Sequence, residues 1–424
     1  MNKPLYLGAA MTALLVHSFN ASATSENDLQ VLREKVQQLE QRIDQATPPA
    51  SGANAYNPSV SLILGGTYGR LGVDPAIPAT GFAMAANPGH QQGINLGESE
   101  LGLAASIDPE YNGVATMALS PAGGVTVENA YIQSSALGNG LNLKFGRYFS
   151  GLGYLNEQHA HAWDFVDQPL VYATLWNNQL GEDGVQVKWL APTDKFIELG
   201  GELGRGRGFP GTDTNRNGAG SGVLFAHIGD DIGIEHSWRA GVSLHQTQRH
   251  NAISTNVPDL LGTAGGVSNS FTGNSRTAGL DMVWKYAPNG NTANRYLKFQ
   301  GEYFQRKESG TLTYNQQTAS AYSDTQTGWY AQSVAQFMPH WRTGLRYDRL
   351  TPGTATVGAA NIGNVISNYG FQPTRTSWML DYSPSEFSRL RLQIARDHSR
   401  QTLPENQIFV QYVMSMGAHG AHSY

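Results

Sequence analysis

The sequence predicts an all-β fold: a transmembrane antiparallel β-barrel of about sixteen strands, preceded by a short α-helical coiled-coil segment. Three observations carry this. Period-two alternation of apolar and polar residues recurs from Pro58 onward, where no helical pattern holds. Short turns alternate with long polar connections along the same stretch. Aromatic residues gather beside the short turns.

Composition sets the class. The 424 residues include 49 Gly, 19 Tyr and 8 Trp, and only 14% are charged, against roughly 25% in an ordinary soluble domain. Such a chain suits a large β structure with one apolar and one wet face. There is no cysteine, which excludes disulfide scaffolds and thiolate metal sites. A net charge of −5 gives no reason to expect nucleic acid as a partner.

Residues 1–23 read as a secretory signal: Lys3, the apolar run LYLGAAMTALLV and the small residues Ala21, Ser22 and Ala23. Residues 24–47 follow as a coil helix, with Leu29, Leu32, Val36, Leu39 and Ile43 at alternating steps of three and four. Three heptads are too few for a stable lone helix, so the seam is expected to self-associate, in two strands or three. Residues 48–57 are a Pro- and Gly-bearing linker, and 58–424 form the barrel.

Within the barrel, Leu199 and Leu203 alternate with Glu198 and Glu202. Leu345 and Tyr347 alternate with Arg342, Arg346 and Asp348, and Leu390, Leu392 and Ile394 with Arg389 and Arg391. Turns recur at 108–109, 138–140, 191–194, 229–231, 287–290, 338–340 and 383–385, and polar loops are expected near 71–96, 151–181, 206–220, 250–274, 310–325 and 351–372. Trp189, Tyr286, Phe337, Trp341, Tyr382 and Phe387 stand beside the short turns, where an interfacial girdle belongs. Residues 112–135 alternate poorly. In the last strand Ile408, Val410, Tyr412, Met414, Met416 and Tyr424 share one parity. This terminal aromatic strand resembles the assembly signal of outer-membrane barrels, which implies the outer membrane of a Gram-negative bacterium, lipid contact and a periplasmic coil.

The connection 151–181 stands out. It is longer than an ordinary loop, is rich in Trp163, Trp176, Phe165, Tyr154 and Tyr172, and concentrates Glu157, His159, His161, Asp164 and Asp167. As the third outer loop of a wide barrel it resembles the inward loop that constricts bacterial porins. The stretches GESELGLAASIDPEYNG, YLNEQHAHAWDFVDQPL and WLAPTDKFIELGGELGRG look like a family of uncharacterised proteobacterial outer-membrane porins, variously labelled zinc-regulated porins or TonB-dependent receptors. The receptor label implies a larger barrel with an N-terminal plug, for which the residues before the first strand leave no room. The resemblance implies a porin: passive diffusion of small hydrophilic solutes or ions through a homotrimer. Its alternative is a zinc-binding outer-membrane receptor or a structural barrel that tethers the envelope.

At the constriction, Glu157, Asp164 and Asp167 are expected opposite inward Arg342, Arg346, Arg389 and Arg391 on neighbouring strands, a transverse field across the pore. The plainer expectation is that these arginines pair with inward Asp348 and Asp381. His159, His161 and Asp164 are a candidate ligand set for zinc; otherwise the histidines hydrogen-bond the wall and pin the loop. His419 and His422 form a second pair at the other end of the barrel. No Gly-X-Ser-X-Gly elbow, HEXXH or P-loop occurs, so no enzyme is expected.

Overall fold

Alternation along the chain resolves into sixteen antiparallel strands that close on themselves. The computed structural model describes residues 58–84, 91–97, 99–119, 123–134, 137–214, 217–361 and 370–417. Residues 1–57, on which the expected signal, coil and linker fall, and His419, His422 and Tyr424 lie outside the described residues.

The strands are β1 (Ser59–Arg70), β2 (Ser99–Ser106), β3 (Tyr111–Leu119), β4 (Val125–Ser134), β5 (Leu141–Phe149), β6 (Gly181–Leu190), β7 (Phe196–Gly204) and β8 (Ser221–Ile232). They continue as β9 (His236–Val257), β10 (Val267–Tyr286), β11 (Tyr296–Tyr314), β12 (Thr318–Met338), β13 (Trp341–Thr351), β14 (Thr374–Ser385), β15 (Ser388–His398) and β16 (Glu405–Gly417). Each pairs with its neighbour in sequence, and β16 returns to β1 in a register from Ser61 opposite Gly417 to Arg70 opposite Ile408. Closure leaves no unpaired edge, the condition a sheet must meet in lipid.

Faces separate as the alternation requires. On β16, Val410, Tyr412, Met414 and Met416 are exposed on the outer surface, whereas Gln407, Phe409 and Gln411 are buried within. On β13, Leu345 and Tyr347 point out while Arg346 and Asp348 are buried. Trp189, Phe337, Tyr382 and Phe387 are exposed beside the short turns, and the Trp189 indole N–H donates to the Asn139 carbonyl across one of them at 3.1 Å.

Two expectations change, and a third observation finds its cause. The polar stretches 250–274 and 310–325 are mostly strand, because β9 to β12 run 19 to 22 residues each. Above an apolar belt both faces turn polar, so the apolar period vanishes while backbone pairing continues. Residues 170–176 are helical (α1, Leu170–Trp176), with all seven side chains buried; a helix apolar all round carries no amphipathic signal. The poor alternation of 112–135 comes from a bulge: Thr116 pairs with Asn129 and Met117 with Val127, leaving Glu128 as the extra residue.

Gly146 on β5 has φ 130°, and a Cβ there would collide with the Ala130 carbonyl and stand 2.8 Å from the Tyr131 Cα. Gly146→Ala is expected to cost about 1–3 kcal/mol through backbone strain. The check is the temperature at which folded barrel, seen by its migration on an unheated gel, is lost.

The apolar core lies inside the barrel. Leu152, Leu155, Trp163, Leu170, Val171, Tyr172, Leu175 and Trp176 of the third loop pack on inward Phe225, Phe304, Tyr330 and Leu350, together with Ala79 and Phe82 of the first loop. A second cluster joins Ala83 and Met84 to Val257, Val267, Phe271, Leu312 and Tyr322.

Candidate functional site

The loop 150–180 leaves β5, crosses the lumen and returns to β6. Its base is tied by one side chain. The Asn156 amide donates to the Ser150 and Leu180 carbonyls at 2.8 and 3.0 Å and accepts the Leu180 N–H at 2.7 Å.

Past the base, the wall captures the loop. Glu302 on β11 accepts four hydrogen bonds: the Tyr154 and Leu155 N–H groups at 3.0 and 3.2 Å, and the Tyr172 and Tyr330 hydroxyls at 2.8 and 2.6 Å. Gly153 has φ 69° there, and the space a Cβ would need is taken by Glu302 and the Tyr172 hydroxyl. Glu202 on β7 accepts the Gly151 N–H at 2.8 Å.

The second half of the loop is clipped to β13, β14 and β15. Asp164 pairs with Lys298 on β11 and with Arg342 on β13. Asp167 pairs with Arg346 on β13 at 2.7 Å and Arg375 on β14 at 2.7 Å, and accepts the Gln393 amide at 2.8 Å. Arg389 donates to the His161 carbonyl at 2.7 Å. The N–H at the start of α1 donates to Asp348 at 2.9 Å. Burial disfavours the Asp164 carboxylate, but Lys298 and Arg342 more than offset this and hold its pKa below the usual value.

Sequence reasoning put the loop acids and these arginines on opposite sides of a gap. Asp164 and Asp167 instead touch Arg342 and Arg346, so here the loop lies on the basic wall. Arg342 and Arg391 share Asp381, Arg391 bidentately at 2.7 and 3.0 Å, and Arg346 also pairs with Asp348 at 3.1 Å. The arginine strands are not adjacent: β14, which carries Arg375 and Asp381, lies between them.

The loop's other edge reaches the far wall. Glu157 pairs with Lys188 on β6 at 2.8 Å. Burial opposes its charge, but Lys188 and Lys144 outweigh burial and bring its pKa down to about 2. His159 Nδ1 lies 3.0 Å from Glu128 on β4 and 3.3 Å from Glu100 on β2, and His161 Nδ1 lies 2.8 Å from the other Glu100 oxygen. The two imidazoles stack at 5.7 Å across a 3-10 turn, Ala160–Ala162. Burial works against protonating His159, yet its bond to Glu128 and the charges of both glutamates leave its pKa raised. Asp164 therefore does not complete a ligand set with the histidines: it is held by Lys298 and Arg342, whereas Glu100 and Glu128 stand beside the imidazoles.

No protein-family model matches the sequence. An uncharacterised protein of Aquifex aeolicus is 30% identical over 405 residues, covering 87% of this chain and 80% of that protein. This chain belongs to the family of that Aquifex protein. Among solved structures, a loop-deletion mutant of OmpT, an outer membrane protein of Vibrio cholerae, matches at TM-score 0.52 with 13% identity, over 86% of this chain and all of that one. The trimer form of in-vitro folded OmpT matches at TM-score 0.52 with 12% identity, over 86% and 100% of the two chains. The fold of this family member is thus that of an outer-membrane barrel.

In it, Glu100, Glu128, Lys188, Lys298, Glu302 and Arg375 hold the loop alongside the residues singled out from sequence. Glu302, Arg375 and Lys298 share inward parity with their strands' other polar residues, which was a usable signal. For Glu128 the parity is divided by the bulge: counted from Val127 it points inward, and counted from Asn129 it points outward.

Proposed function

We propose that this chain is an outer-membrane porin through which small hydrophilic solutes or ions diffuse passively, with the loop 151–181 as its constriction. The observation that carries this reading is a loop bonded to the lumen wall on both sides of a closed sixteen-strand barrel. Beneath the loop a cavity of about 740 Å³ is lined by Asp164, Lys285, Lys298, Arg342, Arg389 and Glu386 among others. Charged walls of mixed sign suit hydrated solutes and tune selectivity. In this reading the barrel sits in the outer membrane of a Gram-negative bacterium and assembles as a homotrimer through the periplasmic coil 24–47.

A second reading draws on the apolar cluster that the loop forms with the inward wall. With the passage sealed, the barrel would act as a surface receptor or envelope tether. Single-channel conductance in a planar bilayer separates the two. Small ohmic steps are the expected result, and a protein that inserts without any steps would end the porin reading.

A further inference from the structure

We propose that Glu100, Glu128 and His159 form a binding site for a divalent cation of the borderline class, zinc being the best match, which joins the inward loop to β2 and β4. Three separate elements supply the donors: β2, β4 and the loop. One ligand atom from each lies within 4.8 Å of the others. Ligands about 2.1 Å from a tetrahedral zinc stand about 3.4 Å from one another. His159 Nδ1 is already 3.3 Å from a Glu100 oxygen and 3.0 Å from a Glu128 oxygen.

The backbone is shaped to make this cluster. Asn129 is inward and buried, so straight alternation would turn Glu128 to the outer face of the barrel, toward lipid. The bulge adds one residue to β4 opposite Thr116 and Met117 and brings the carboxylate into the lumen instead. Bulges recur beside functional sites because they re-aim a side chain without ending a strand.

The surrounding groups fit a bound cation. The Asn129 amide lies 2.8 Å from His159 Nε2. Turned over, it would accept the Nε2 proton and fix the tautomer in which Nδ1 is free to ligate. His161 Nδ1 holds the second Glu100 oxygen, and the Phe149 ring packs edge-on against His159 at 5.3 Å. Two carboxylates facing one imidazole leave a net negative charge even when the imidazole is protonated. A dication in place of that proton neutralises the pair, the proton leaving Nδ1 for solvent. One nitrogen with two carboxylates suits zinc and its neighbours, whereas magnesium and calcium call for oxygen ligands alone. Water from the lumen supplies the fourth position.

The site holds whether or not the barrel conducts, so its test is direct. The full chain in detergent micelles is titrated with zinc by calorimetry. Uptake of one zinc per chain is expected, with no comparable uptake of magnesium. Glu128→Gln and His159→Ala, each shown folded by gel migration, are expected to weaken zinc binding at least 100-fold, and Asn129→Ala about 10-fold. The His419→Ala, His422→Ala double variant, far along the chain, is expected to bind as the unaltered protein does. The proposal is overturned if the unaltered protein takes up no zinc. It is equally overturned if folded Glu128→Gln and His159→Ala proteins bind as well as the unaltered one, or if only the double variant loses binding.

Discussion

Asp167→Ala is expected to release the inward loop from the basic wall and raise single-channel conductance and open-channel noise together. Its carboxylate is shared by Arg346, Arg375 and Gln393, all buried. Removing one partner of a buried ion pair costs about 3–5 kcal/mol, because the charges left behind are neither hydrated nor compensated. Every 1.4 kcal/mol is a factor of ten, so the balance between docked and undocked loop shifts by roughly 10²–10⁴. The Arg346 and Arg375 contacts to the carbonyls of Asp167 and Gln168 remain, and Asp348 still faces Arg346 at 3.1 Å and Arg375 at 3.6 Å, which draws the loss toward the lower end of that range. Conductance and noise equal to those of the unaltered protein would show that this clip does not hold the constriction.

Glu302→Ala is expected to free the first half of the loop by a different route. Four donors converge on this carboxylate, two from the loop backbone and two tyrosine hydroxyls. A hydrogen bond contributes about 0.5–1.5 kcal/mol net, and a donor left buried without an acceptor costs about 1–3 kcal/mol of desolvation. Tyr172 lies against Trp176 and Phe304 at 5.3 Å, so the change reaches the apolar cluster as well. The measurement is protease cleavage within 150–180 in the folded barrel. Cleavage at least 10-fold faster than in the unaltered protein is expected, with Glu302→Gln between the two. An unchanged cleavage rate would mean that Glu302 does not anchor the loop.

How much of this was legible follows from what alternation encodes. Leu199 and Leu203 against Glu202, or Leu345 and Tyr347 against Arg346, assign each residue to lipid or lumen because side chains change face at every step. Parity says nothing about height, so it put Asp167 and Arg346 in the same lumen without saying whether they met or opposed each other. Length and the buried aromatics Trp163 and Trp176 marked the third loop, but LVYATLW has no polar side from which its helix could be read. The Glu128 bulge was visible only as a stretch of weak alternation. Counted from Asn129, straight pairing would aim the Glu128 carboxylate at lipid, a cost that the bulge removes.

The long strands β9 to β12 also decide how a molecule reaches the entrance. A membrane crossing needs only about ten tilted residues, and these four have 19 to 22. At about 3.3 Å per residue and a tilt near 45°, the surplus rises roughly 20 Å above the bilayer. Around the ring from them, β3 and β4 are 9 and 10 residues long, and β4 begins at Val125 only a few residues after β3 ends at Leu119. The rim is therefore cut on a slant, with a stiff parapet facing a low sill. A molecule approaching the rim from the side therefore meets the parapet before the sill.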